Sequence, residues 1–147
     1  MFAKPVPVAQ FPRLRVTIPL FDARVPAGFP SPAEGYLQRP IDLNELLVAS
    51  PPSTFMFRVE GHSMVGAHIH DGDLVIVDRA LEAHDKDIVL AVIDGEFTIK
   101  RLRRTRGRVW LQPENREFPC IELSEEREGT VWGIVTGGVR QFKRHGR

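Results

Sequence analysis

Two residues in the middle of the chain, Ser63 and Lys100, have the chemistry needed for nucleophilic catalysis. Ser63 follows Gly61 after the apolar run Phe55–Val59, which places its hydroxyl at a strand end beside a free backbone N–H. Lys100 lies at an inner position of a second strand-like run, 96–104, where desolvation favours the neutral amine. A neutral lysine can accept the serine proton, as in Ser-Lys enzymes. Spacing alone does not distinguish this pair from ordinary surface residues.

A second group of residues contains metal-ligand types. Alternate residues would share a face only in a regular strand, and the glycines at 66 and 72 indicate an irregular turn instead. An exposed polar turn is therefore favoured over a metal site, and no metal or cofactor is expected. The group comprises His68, His70, Asp71 and Asp73.

The serine does not fit the nucleophile elbow of a Ser-His-Asp hydrolase. In the segment from Gly61 to Val65, a valine stands where that motif requires its second glycine. A catalytic triad is thus weakly supported by the sequence.

A cluster of arginines follows Lys100 and raises the question of nucleic-acid binding. Strand alternation divides these side chains between two faces, so a solvated strand edge is favoured over a groove for phosphates. The cluster comprises Arg101, Arg103, Arg104, Arg106 and Arg108. With a formal net charge of +1 and no recognition helix in view, sequence-specific DNA binding is not expected.

Proline divides the chain into two parts. Ten of its twelve prolines lie within the first 52 of 147 residues, where they oppose long helices and central strands. Residues 1–40 are therefore predicted to form an extended arm, and residues 41–147 a folded body.

The body is predicted to be mainly β with one short helix. Asp42 can cap that helix, with Glu45 three residues later. The dipeptide Asp94-Gly95 predicts a tight hairpin between two strands. The predicted strands are 55–59, 74–77, 88–93, 97–102, 109–111 and 131–135.

Composition narrows the cellular setting. No apolar run approaches the roughly 18 residues that span a bilayer, and no signal-peptide pattern opens the chain. Cys120 is the sole cysteine and cannot form an internal disulfide. A cytoplasmic protein without a membrane anchor is therefore expected.

Three blocks of sequence carry a family resemblance. They run from Val59 to Val65 (VEGHSMV), from Asp71 to Asp78 (DGDLVIVD) and from Asp87 to Leu102 (DIVLAVIDGEFTIKRL). In these blocks the chain resembles the self-cleaving peptidases that include LexA, UmuD and phage repressors. A looser match extends from about Ile18 to Val139 and includes Pro113-Glu-Asn-Arg116. The resemblance implies a curved β body of the LexA and signal-peptidase type, with Ser63 as nucleophile and Lys100 as general base.

The short arm favours the UmuD-like branch of the family. About 40 proline-rich residues cannot supply the helix-turn-helix domain that LexA and phage repressors carry. The resemblance implies a scissile bond before a glycine in the arm, and Ala27-Gly28 fits, although a plain linker is the alternative reading. Backbone N–H groups near His62 and Ser63 are expected to stabilise the oxyanion. His62 departs from many relatives, which have Asp or Met before the serine.

The resemblance also implies partners. In UmuD-like proteins of the SOS response, a RecA filament on single-stranded DNA stimulates cleavage, and the shortened homodimer joins UmuC, a Y-family translesion polymerase. The alternative is a binding subunit that does not cleave itself and whose Ser-Lys pair is vestigial. Signal peptidases share the dyad, but they require a membrane anchor. Because no anchor is expected in this sequence, that class of enzyme is not favoured.

Overall fold

The computed structural model describes residues 16–22, 24–30, 32 and 37–143. These residues form two compact units that meet in sequence between Ala49 and Ser50. The proline pattern placed the end of the cleavable arm at residue 40. This boundary concerns cleavage rather than packing, and it stays a prediction.

The first unit is a two-stranded ribbon followed by a short helix. Strand β1 (Thr17–Phe21) pairs antiparallel with β2 (Gln38–Asp42), and Pro19 lies opposite Pro40. The Asp22 N–H donates to the Leu37 carbonyl oxygen at 2.7 Å, so these two residues form a hydrogen-bonded pair. Hydrogen-bonded and non-hydrogen-bonded pairs alternate along an antiparallel ribbon, so Pro19 and Pro40 form a non-hydrogen-bonded pair, which needs no N–H donor. Prolines are therefore compatible with this pairing, which the sequence analysis did not predict.

Helix α1 (Leu43–Leu47) begins at the predicted cap. The Asp42 side chain accepts a hydrogen bond from the Asn44 N–H at 2.8 Å, which satisfies one of the free donors of the first turn. Glu45 lies in that first turn, where its charge complements the helix dipole.

The second unit contains one antiparallel sheet of seven strands. Its spatial order is β3, β4, β9, β5, β6, β7, β8. The strands are β3 (Thr54–Arg58), β4 (Leu74–Asp78), β5 (Ile88–Ile93), β6 (Glu96–Thr105), β7 (Arg108–Gln112), β8 (Ile121–Leu123) and β9 (Gly129–Val139). Short 3-10 helices cover Pro51–Ser53 and Val65–Ala67.

Two tight turns order the centre of this sheet. Asp94 and Gly95 both have positive φ, 50° and 78°, which confirms the hairpin predicted between β5 and β6. Arg106 and Gly107 repeat that conformation between β6 and β7. These turns fix the register in which β6 presents Lys100.

Apolar side chains pack on both faces of the sheet. One cluster includes Val89, Leu102 and Leu111, each fully buried, and the other includes Val75 and Val77. Because β5 and β6 contribute to both clusters through alternate residues, their middle positions are shielded from water on either face.

The mainly β class with one short helix is confirmed, and each predicted strand has a counterpart. Strands β1, β2 and β8 were missed: β1 and β2 contain prolines, and β8 has only three residues. In the part of the chain that the structure describes, no helix is long and apolar enough to cross a membrane.

Candidate active site

Ser63 lies in a turn between β3 and β4 that we call the nucleophile turn (residues 61–66). Gly61 opens this turn with a φ of 92°, and its N–H is held by the Asp71 carboxylate at 2.8 Å. Met64 anchors the turn in the body, since only 2% of the residue is exposed. Ser63 between them is half-buried. The turn therefore presents the hydroxyl at a fixed place near the end of β3.

Lys100 extends from the middle of β6 and is buried, with 8% of the residue exposed. It shares its face of the strand with Thr98 and Leu102, as the alternation predicted, and pairs with Val89 of β5. A lysine is rarely found at such a site without a partner of opposite charge. None of the ion pairs between described residues involves Lys100.

The structure brings the two predicted residues together. The Lys100 Nζ lies 3.0 Å from the Ser63 Oγ, 2.8 Å from the Thr98 Oγ1 and 3.0 Å from the Ile99 carbonyl oxygen. A protonated lysine donates to all three oxygens. A neutral lysine keeps two N–H groups, which can donate to Thr98 and Ile99 while its lone pair faces the serine hydroxyl. The contacts thus suit both protonation states of a general base.

Burial lowers the pKa of Lys100 below its ordinary value of 10.5, because loss of solvation disfavours the ammonium. The three contacts are to uncharged oxygens, so no carboxylate raises the pKa again. A larger fraction of the neutral amine is therefore present near neutral pH than in an exposed lysine.

A cleft of about 500 Å³ opens over the two residues. Its polar groups include the Ser63 hydroxyl and the Lys100 amine, and its apolar lining includes Phe57, Phe97, Ile99 and Phe118. Phe57 and Phe97 have ring centroids 5.3 Å apart. The mostly apolar lining suits an extended segment with small or apolar side chains.

Comparison with known proteins identifies the family. The family model for S24-like peptidases matches residues 19–136, which include both Ser63 and Lys100. The chain belongs to the S24 peptidase-like family.

Relatives at high identity support the same assignment. Protein MucA of Salmonella typhimurium is 45% identical over 121 residues, which are 82% of each chain. Protein SamA of the same species is 42% identical over 127 residues, covering 86% of this chain and 88% of that protein. LexA repressor 1 of Xanthomonas oryzae pv. oryzae is 41% identical over 118 residues, covering 80% of this chain and 58% of the repressor.

These matches confirm the resemblance drawn from the three sequence blocks. The chain is a UmuD-like, self-cleaving serine peptidase of the SOS mutagenesis group. The roles of its individual residues are not decided by the comparisons, so the dyad, the oxyanion donors and the scissile bond stay predictions.

Within this S24 peptidase, the segment from Pro113 to Arg116 holds the nucleophile turn from one side. The Glu114 N–H donates to the Ser63 carbonyl oxygen at 2.8 Å, and the Gly66 N–H donates to the Glu114 carbonyl oxygen at 2.7 Å. The Asn115 side chain donates to the His62 carbonyl oxygen at 2.9 Å. The sequence alone predicted no role for the residues of this segment.

The predicted oxyanion donors lie in the same turn. Within the described residues, no acceptor engages the backbone N–H of His62 or of Ser63. Both donors are thus free for a developing negative charge, as their predicted role requires. The His62 side chain is exposed.

The group once considered for metal binding has another role in the fold. The Asp73 carboxylate receives two hydrogen bonds from Arg140, at 2.8 and 2.6 Å, and one from the His70 N–H at 2.9 Å. Asp71 binds the nucleophile turn through Gly61. Among the described residues, no cluster of three His, Cys, Asp or Glu residues has the arrangement of a metal site.

The arginines after Lys100 are largely paired. Arg101 contacts Glu114 at 2.5 Å, Arg103 contacts Asp85 at 3.4 Å, and Arg108 makes two bonds of 3.0 Å to one carboxylate. Paired arginines offer little free charge to phosphates. This pairing argues against a nucleic-acid groove. The strand edge predicted for these arginines is wrong, because β6, which carries three of them, pairs with β5 on one side and with β7 on the other.

Ala27 and Gly28 lie in the other unit, in the segment between β1 and β2, and both are exposed. A side-chain carbon built at Gly28 would meet nothing within 4 Å. The backbone at this bond is therefore uncrowded. Their assignment as the cleaved bond stays a prediction.

Proposed function

We propose that Ser63 and Lys100 form the catalytic dyad and that they cleave the chain between Ala27 and Gly28. The observation that carries this proposal is the 3.0 Å contact between the Ser63 Oγ and the Nζ of a buried lysine without a carboxylate partner. A structural salt bridge would instead pair such a lysine with an acid.

The first half of the reaction forms an acyl-enzyme. Neutral Lys100 takes the proton of the Ser63 hydroxyl as the oxygen attacks the Ala27 carbonyl carbon. The N–H groups of His62 and Ser63 stabilise the oxyanion of the tetrahedral intermediate. When the intermediate collapses, the Lys100 ammonium returns the proton to the leaving amine of Gly28.

The second half releases the product. Lys100 removes a proton from a water molecule, which attacks the ester between Ser63 and Ala27. Collapse of the second intermediate returns the proton to the Ser63 oxygen. The result is an arm that ends at Ala27 and a shortened chain that begins at Gly28.

In the proposed cellular role, this cleavage is a switch in translesion DNA synthesis. A RecA filament on single-stranded DNA accelerates self-cleavage, and the shortened chain becomes the accessory subunit of a UmuC-like Y-family polymerase. Membership in the UmuD-like group supports this role. No direct sequence-specific contact with DNA is proposed.

A homodimer is proposed as the working assembly. The sheet of the described residues has β3 and β8 at its two edges, and β3 exposes Met56 there. Edge strands with an apolar side chain favour pairing with a second copy. Light scattering at micromolar concentration should give twice the chain mass, and a monomer would contradict the proposal.

Mass spectrometry after incubation with activated RecA filament tests the cleavage directly. The wild-type protein should yield a fragment beginning at Gly28, whereas Ser63→Ala should stay intact while remaining folded by circular dichroism. Ser124→Ala is the matched control, because Ser124 has a structural contact with Arg127 and lies outside the cleft. A fragment with a different N-terminus would refute the scissile bond, and cleavage by Ser63→Ala would refute the dyad.

A further inference from the structure

The residue after the proposed base forms an ion pair that the mechanism does not use. Arg101 Nε contacts the Glu114 Oε1 at 2.5 Å, and about a quarter of each side chain is exposed. Because neighbouring residues of a strand point to opposite faces, Arg101 leaves β6 on the side away from Lys100. Neither Arg101 nor Glu114 is among the residues that line the cleft over the dyad.

Glu114 also binds the nucleophile turn at two points. Its N–H donates to the Ser63 carbonyl and its carbonyl accepts from the Gly66 N–H, as described above. The approach is so close that a side-chain carbon at Gly66 would lie 2.6 Å from the Glu114 carbonyl oxygen. Any movement of Glu114 is therefore transmitted to the nucleophile turn.

Arg101 is fixed at a second point. Its Nη1 donates to the Lys86 carbonyl oxygen at 2.6 Å, and the Lys86 N–H donates to the carbonyl oxygen of Leu102 in β6. The guanidinium is thus tied to β6 through the turn before β5 as well as through its own backbone. One end of the ion pair is rigidly joined to the strand that presents Lys100.

We propose that the Arg101–Glu114 ion pair is a positioning element that holds Ser63 at hydrogen-bonding distance from Lys100. It links the strand that carries the base to the turn that carries the nucleophile. This inference rests on the proposed function of Ser63 and Lys100 as a dyad. Arg101 and Glu114 touch no reacting atom, so they act through the position of Ser63.

Self-cleavage rates of variants at these two positions test the link. Glu114→Ala keeps the backbone bonds to the turn but removes the carboxylate, and we expect the rate to fall about 10- to 100-fold from a small displacement of the hydroxyl. Glu114→Gln keeps an oxygen acceptor for Arg101 and should retain most of the activity. If Glu114→Ala does not fold, the cleavage rate of Glu114→Gln still tests the link.

The double variant Arg101→Ala/Glu114→Ala separates a specific link from general damage. Either single substitution breaks the same link, so the double variant should be about as slow as the slower single variant. Glu122→Ala is the matched control, since it also removes the carboxylate partner of an arginine, Arg108, but Glu122 makes no hydrogen bond to the nucleophile turn among the described residues. It should cleave at the wild-type rate.

The pH profile distinguishes positioning from an effect on the base. Because the pKa of Lys100 is lowered by burial, loss of the ion pair should reduce the rate at every pH and leave the midpoint of the profile in place. Three results would overturn this inference but not the dyad. They are a shifted midpoint of the pH profile, losses of rate that multiply in the double variant, and wild-type rates for both Glu114→Ala and Arg101→Ala. Cleavage that persists in Ser63→Ala would overturn the dyad, and the inference with it.

Discussion

The proposed base is surrounded by oxygen acceptors that carry no charge. Lys100 contacts a serine hydroxyl, a threonine hydroxyl and a backbone carbonyl, and its residue is 92% shielded from solvent. These groups orient the amine without holding its proton electrostatically. An exposed lysine such as Lys86 lacks this environment.

The rate of self-cleavage should depend on pH through Lys100. Because the pKa of Lys100 lies below 10.5, the neutral form increases with pH, and the rate should rise about tenfold per pH unit below the midpoint before reaching a plateau. The measurement is the first-order rate without RecA between about pH 7 and 10.

The substitution Lys100→Arg tests whether the proton must leave. Arginine keeps the positive charge but does not lose its proton in this pH range, so the rate should fall by at least about 10³-fold. Lys86→Arg, at an exposed lysine outside the cleft, should cleave normally. Near-normal cleavage by Lys100→Arg, or a flat wild-type profile, would exclude lysine as the base.

Thr98 is expected to orient the base. Its Oγ1 lies 2.8 Å from the Lys100 Nζ, and removal of this acceptor frees the amine to turn away from Ser63. Thr98→Val preserves the shape of the side chain and should slow cleavage about tenfold, at the upper end of the range for one lost hydrogen bond. Thr98→Ser restores the hydroxyl and should restore the rate. Equal rates for the valine and serine variants would contradict this role.

At the scale of elements, the contact between the nucleophile turn and the 113–116 segment has no spare room. A methyl group at Gly66 meets the Glu114 carbonyl oxygen at 2.6 Å, so Gly66→Ala must displace the turn. We expect slower self-cleavage and a loss of about 1–3 kcal/mol in the free energy of unfolding. Chemical denaturation and cleavage assays measure the two effects.

Gly133→Ala is a matched control for the same kind of crowding. Its new methyl group meets the Val77 side chain at 2.6 Å, in the sheet rather than at the cleft. It should lower stability while leaving the cleavage rate of the folded protein near wild type. Equal effects of the two variants on cleavage would mean that crowding acts through stability alone.

The end of β9 is tied to the start of β4 by an ion pair that should be lost in acid. Hydrogen bonds from Arg140, the largest influence, lower the pKa of Asp73 from 3.8 to about 2. A carboxyl group whose pKa is lowered by folding stabilises the folded protein at pH values above its unfolded pKa of about 3.9. This stabilisation is lost as the pH falls through the folded pKa.

Arg140→Ala should therefore destabilise the protein most at neutral pH. Its difference from wild type in the free energy of unfolding should shrink between about pH 4 and 2, as protonation of Asp73 removes the advantage of the wild-type protein. Arg108→Ala should give a smaller difference, since the side chains of Arg108 and Glu122 are 67% and 52% exposed. A difference for Arg140→Ala that stays constant across this pH range would contradict the assignment.

At the scale of the whole molecule, cleavage should alter partner binding. A chain that begins at Gly28 lacks the first part of the arm, and the proposed switch requires that this form bind the Y-family polymerase more tightly. A pull-down should compare the purified Gly28 product with full-length Ser63→Ala, which stays uncleaved. Equal binding of the two forms would argue against a switching role.

The sequence determined the chemistry and the local structure of this protein. Short-range patterns sufficed for the helix cap at Asp42, the Asp94-Gly95 turn and the inner position of Lys100, because each depends on residues close in the chain. The three motif blocks indicated the family, and with it Ser63 as the nucleophile.

Only the tertiary structure decided how distant residues meet. The 3.0 Å contact of Ser63 with Lys100 and the bonds from the segment at Glu114 join parts of the chain that no local pattern relates. Pairing likewise overrode the prolines of β1 and β2, because Pro19 and Pro40 lie where no N–H is needed. Residue types establish which reaction is possible, but strand pairing and burial set the distances and the lysine pKa on which that reaction depends.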